Sequence, residues 1–160
     1  MKKTGEIRVE SKNPYKINVL LAYDSAPTCG AILGMFDRIS TRLRNKQLFN
    51  VNAFRFGLLE RMDPFKWTAA GADAAELVMV AFGEKGAPGA DLLSWLENWA
   101  KRHEGRDSAL GFLPMGVKAG EPVRRVVRTL RKIAARHGLR FIYGGGTGLA
   151  PFQDACTAAV

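Results

Sequence analysis

The chain has little of what most site chemistry needs. Its 160 residues hold two cysteines, Cys29 and Cys156, and two histidines, His103 and His137. Two thiols make no disulfide framework, and no His/Cys/Asp/Glu cluster has metal-ligand spacing, which argues against a bound zinc. Long apolar runs are also missing, and nothing approaches the ~18 uninterrupted apolar residues of a membrane span. The opening stretch MKKTGEIRVESKNPYK has basic residues with no apolar run behind them, which argues against a secretory leader. Free thiols and a cytoplasmic location are the expectation. Acidic residues are scarce as well: 15 Asp and Glu face 24 Lys and Arg, for a net charge of +9. That balance is compatible with nucleic acid, anionic lipid or an acidic protein, and selects none of them.

What is present is a globular core. A hydrophobic content of 47% excludes global disorder, and this length suits one domain. Short apolar runs alternate with helical patterns. KINVLLAYD (16–24) reads as a buried strand. In 25–46, Ile32, Met35, Phe36, Ile39 and Leu43 share a helix face. FNVNAFRFG (49–57) alternates apolar and polar residues, as a half-buried edge strand does. MDPFKWTAAGADAA (62–75) opens with Asp-Pro, the start of a short helix. ELVMVAFG (76–83) is continuously apolar, as a central parallel strand is.

Residues 88–103 place Leu92, Trp95, Leu96 and Trp99 on one helix face. SALGFLP (108–114) is a strand. In 121–137, Val123, Val126, Val127, Leu130, Ile133 and Ala134 make an apolar stripe, with Gly138 as the stop. LRFIYG (139–144) is a fifth strand. Residues 1–15 form an N-terminal extension, and a Gly/Ala-rich tail runs over 145–160, with room for a short last helix at 151–158. The single domain at 16–144 is then α/β: a three-layer sandwich around a five-stranded parallel sheet of order 2-1-3-4-5.

In such a sheet, ligands bind beyond the carboxyl ends of the strands, where helix N-termini welcome anions. That end collects Asp24, Ser25, Thr28 and Gly30 after the first strand, with Gly83, Glu84 and Lys85 after the third. Met115–Lys118 and Gly144–Gly148 follow the fourth and fifth strands. Cys29 sits near a helix start, where a thiolate is favoured. Both histidines fall at helix C-termini, across the sheet from it, so no Cys/His nucleophile pair is expected. The histidines instead suit the helix dipoles. GGGTG lacks the lysine of a phosphate loop.

Two families share features with these segments. Over 16–144 the element order resembles the receiver domains of response regulators, within the flavodoxin-like fold. LLAYDS keeps one acid, Asp24, of the pair such domains carry, and Ala81 or Phe82 stands where their phosphoacceptor aspartate would be. The resemblance implies a degenerate receiver-like domain for signalling or protein interaction, without phosphorylation, metal or cofactor. The alternative is a resemblance of DSAPTCG to flavodoxin FMN sites, in which Ser25, Thr28 and Gly30 would cradle the phosphate of FMN in a redox protein. Pro27 and Asp24 depart from that pattern, and N-capping by Ser25 or Thr28 is the plainer role. The fourth helix carries Arg124, Arg125, Arg128, Arg131, Lys132 and Arg136 against one acid, Glu121. With the fifth strand it is the candidate surface for a protein partner or homodimer; nucleic acid is open, but no motif supports it.

Overall fold

The computed structural model describes residues 16–63, 66, 71–83, 88–114 and 121–144. The elements run β1 (Ile17–Tyr23), α1 (Ala26–Arg42), β2 (Phe49–Arg55), α2 (Phe56–Glu60), β3 (Leu77–Phe82), α3 (Ala90–Arg102), β4 (Ala109–Pro114), α4 (Glu121–Arg136) and β5 (Arg140–Tyr143). The sheet has the order β2-β1-β3-β4-β5, and every neighbouring pair is parallel. β3 lies at its centre and all six of its residues are buried, as its unbroken apolar run requires. The alternating strand β2 lies at an edge and is only half-buried.

Side chains alternate across a strand, so each strand feeds two cores. On one face Val19, Leu21, Met79 and Leu113 meet Ile32, Met35, Phe36 and Ile39 of α1. On the other, Leu20, Val78, Val80 and Phe112 meet Leu92, Leu96 and Trp99 of α3, and Val123, Leu130 and Ile133 of α4. Leu20, Ile32 and Leu96 are wholly buried. Each such side chain contributes roughly 1.5–3 kcal/mol of burial free energy.

α4 ends as its sequence predicts. Gly138 takes φ +71°. Gly138 and Leu139 donate their backbone N–H groups to the carbonyls of Ala135 and Ala134. That is a Schellman stop, and Leu139 closes it by burying its side chain.

The second helix of the sequence reading falls partly outside the described residues: of 62–75, residues 64, 65 and 67–70 are not described. A short helix that the sequence reading did not expect, α2 (Phe56–Glu60), directly follows β2. Leu59 anchors it in the core while Leu58 stays exposed. Asp63 does turn the chain, its carbonyl accepting the Lys66 N–H at 2.8 Å. Residues 71–74 are turns. Gly71 sits at φ +83°, and a Cβ there would lie 2.3 Å from the Asn52 side chain of β2. Any side chain at 71 would therefore meet the sheet edge, and the turn there suits glycine alone. Trp67, the Gly145–Gly148 loop and the tail with its expected helix at 151–158 lie outside the described residues.

Candidate functional site

β1 delivers Tyr23 to the carboxyl edge of the sheet, paired in register with Ala81 of β3. The next residue, Asp24, reaches across to the end of β3. Its Oδ2 accepts the Gly83 backbone N–H at 2.9 Å, and its Oδ1 accepts the Ser25 hydroxyl at 3.3 Å. The Ser25 and Thr28 hydroxyls are 3.3 Å apart. One carboxylate and two hydroxyls therefore gather at the start of α1, tied to the neighbouring strand end. Burial pushes the Asp24 carboxyl up. The Gly83 N–H, the Thr28 hydroxyl, its own N–H and the Ser25 hydroxyl together outweigh that and hold it below its ordinary value of 3.8. Asp24 is thus an anion at neutral pH.

The plain capping role is only half fulfilled. Ser25 occupies the N-cap position with extended backbone, φ −149° and ψ 160°, yet its side chain makes no capping bond. Its carbonyl accepts the Cys29 N–H at 3.0 Å, while its hydroxyl serves Asp24. Thr28 is buried, and its hydroxyl hydrogen-bonds the same carboxylate. Gly30 does not join them. It is exposed, and an added Cβ would meet open space. At 100° per residue, Gly30 faces away from Thr28. Glu84 lies outside the described residues, as do Lys85 and Met115–Lys118. Burial raises the Cys29 thiol above its ordinary value of 9.0, so the helix start does not make it a thiolate.

Phe82, the aromatic nearest the loop after β3, is committed to the core. Its ring stands 5.2 Å from that of Phe112, which in turn stacks on Tyr143 at 5.8 Å. Ala81 and Phe82, in the place of a receiver's phosphoacceptor, are 0% and 2% exposed. Among the described residues no group of three His, Cys, Asp or Glu could hold a metal ion. No helix among them is long and apolar enough to cross a membrane.

No protein-family model matches this chain, and no curated protein does. Solved structures do. An oxidoreductase from Corynebacterium diphtheriae matches with TM-score 0.55 at 10% identity, over 91% of this chain and 92% of that one. A flavodoxin of Streptococcus pneumonia TIGR4 matches with TM-score 0.52 at 14% identity, over 89% and 99%. A short-chain flavodoxin associated with a non-canonical PDU bacterial microcompartment matches with TM-score 0.52 at 11% identity, over 89% and 95%. The fold is flavodoxin-like. The expectation of a receiver-like signalling or interaction domain is thereby corrected: the matched structures are flavodoxins and an oxidoreductase, and none is named as a receiver. The chain order it relied on belongs to both kinds of domain, and the phosphoacceptor position is apolar core.

A second charged cluster lies where α3 and α4 end, and it was not read from the sequence. His137 follows α4, and its two ring nitrogens meet Glu97 and Glu104, one carboxylate each. Arg136 also pairs with Glu97. The hydrogen bond of His137 to the Glu104 carboxylate, then that to Glu97, raises it above its ordinary 6.5. Glu97 lies within α3 and Glu104 beyond its C-cap His103, so no spacing in the string brings the two carboxylates to one histidine. His103 is buried as the C-cap of α3, with its ring nitrogens at the Trp99 carbonyl (2.9 Å) and the Asp73 carbonyl (3.0 Å). Arg124, Arg125, Arg128, Arg131 and Lys132 all lie on the exposed side of α4, opposite its valines. Arg131 covers the Phe141 ring of β5 at 5.3 Å.

Proposed function

We propose that the protein binds FMN at the carboxyl edge of its sheet, through the β1–α1 loop, and acts as a flavodoxin-like redox protein. The observation that carries this reading is the pairing of the Ser25 and Thr28 hydroxyls at the N-terminus of α1, directly after β1. Hydroxyls, the Gly83 N–H and the positive end of a helix suit a phosphate monoester. Asp24 stands against it, because its carboxylate already uses these donors. Bound FMN supplies one- and two-electron transfer. The chain's own part is to fix the donors on a rigid scaffold: Thr28 is buried, and the loop springs from a strand whose residues 19–22 are 0–1% exposed.

The test is a titration of the purified protein with FMN, followed by flavin fluorescence. Saturable quenching at about micromolar FMN that is lost in the Ser25→Ala/Thr28→Ala double variant supports the reading. Absence of binding up to about millimolar FMN, worth only ~4 kcal/mol, overturns it.

An electron carrier also needs a protein to exchange electrons with, and the exposed face of α4 suits an acidic one. A groove of about 350 Å³ between α3 and α4 has Leu93 and Ile133 in its wall, with Lys132 and Arg136 among its lining residues. Arg is suited to carboxylates through its planar fork. Binding of an acidic polypeptide that weakens with salt, and with Arg125→Glu/Lys132→Glu, supports this surface; binding unaffected by both overturns it.

A further inference from the structure

We propose that Asp24 is a built-in anion that sets the ligand preference of the β1–α1 loop, so that the loop favours FMN over its unphosphorylated parent riboflavin less than it would with a neutral residue at that position. This rests on the FMN reading above and deepens it.

The argument begins with hydrogens. A hydroxyl donates once. The Ser25 hydroxyl donates to Asp24 Oδ1, and the Gly83 N–H is spent on Oδ2. The Thr28 hydroxyl lies 3.3 Å from that of Ser25 and belongs to the same small network. These are the donors a phosphate arriving at the start of α1 would take. Asp24 is the single charged residue of DSAPTCG, so no cation in the loop offsets it. Pro27, in the first turn of α1, has no N–H to offer in compensation. A phosphate must therefore displace a carboxylate from its donors and then sit beside it, and like charges at such distances repel. The isoalloxazine and ribityl parts of the ligand carry no charge and meet no such opposition. The phosphate therefore adds less affinity while Asp24 is ionised than it would beside a neutral residue.

The experiment compares FMN and riboflavin on wild type and Asp24→Asn by fluorescence titration. Asparagine keeps an acceptor for the Gly83 N–H and removes the charge. The expected result is a gain for FMN of about tenfold or more, equal to ~1.4 kcal/mol, with riboflavin affinity changed less than about twofold. Asp24→Ser is read in the same way if the asparagine variant does not fold, as judged by circular dichroism. If both flavins bind and removing the charge leaves their affinity ratio unchanged, the inference falls while the FMN reading stands. If neither flavin binds either protein, the FMN reading fails and the inference falls with it.

Discussion

The two ends of the sheet handle charge in opposite ways. At the carboxyl edge, one anion, Asp24, is held by uncharged donors: an N–H and two hydroxyls. At the far end, His137 sits between two carboxylates, with Arg136 completing the set. The first arrangement holds its charge with an N–H and hydroxyls, the kind of donor an anionic ligand also uses. The second is compensated from within and ties α3 to the end of α4. Charge held by dipoles can be handed to a ligand, whereas charge held by counter-charge is structural.

Several measurements can break or sharpen that contrast. The largest effect belongs to the structural end. Trp99 is fully buried, donates its Nε1–H to the Ala72 carbonyl at 2.9 Å and stacks on His103 at 4.3 Å. Trp99→Ala should cost about 3–5 kcal/mol in urea unfolding. At the ligand end, Ser25→Ala/Thr28→Ala should lower FMN affinity by about tenfold or more while changing stability by less than ~1 kcal/mol. A double variant that unfolds the protein instead would erase the distinction between the two ends.

Next comes pH. His137 is raised in the folded state, so its contribution is fully present below the unfolded value near 6.5 and is lost as pH rises through the folded value. Burial pushes Asp24 up, and its donors outweigh this to leave it lowered below 3.8. Arg136 above all lowers Glu97 below 4.5. Both therefore contribute above their unfolded values and lose that contribution as pH falls through the folded ones. His137→Gln should flatten the alkaline side of a stability–pH profile and, by removing a partner of Glu97, weaken its acid side as well, whereas Asp24→Asn should flatten the acid side alone. Solvent screening limits the His137 effect to about 1 kcal/mol. The smallest effect is Gly138→Ala, which places a Cβ at φ +71° and should cost about 1 kcal/mol, read as a lowered thermal midpoint.

Much of the fold was legible because periodicity reports directly on burial. The apolar run of β3 placed it at the centre, and the alternation of β2 placed it at an edge. The valine stripe and arginine face of α4 separated as their spacing implies. The site was less legible. DSAPTCG drew attention to Ser25, Thr28 and Asp24, but equally to Gly30, which faces away. Nothing in the string shows that the Asp24 carboxylate meets Gly83, 59 residues on. The close approach at Gly71 is hidden for a related reason: what it faces is a side chain from another strand, Asn52.

By itself the sequence determined the layers, the strand order and the helix faces, because these follow from local hydrophobic patterns that have one good way to bury themselves. Only the tertiary structure decided what each charge does. Asp24 and His137 are both single titratable residues near helix ends. One is an anion among dipoles, two of them the neighbouring Ser25 and Thr28 hydroxyls, and the other an imidazole between carboxylates. In each, a deciding partner, the Gly83 N–H or the Glu97 and Glu104 carboxylates, comes from a distant part of the chain and is placed by packing.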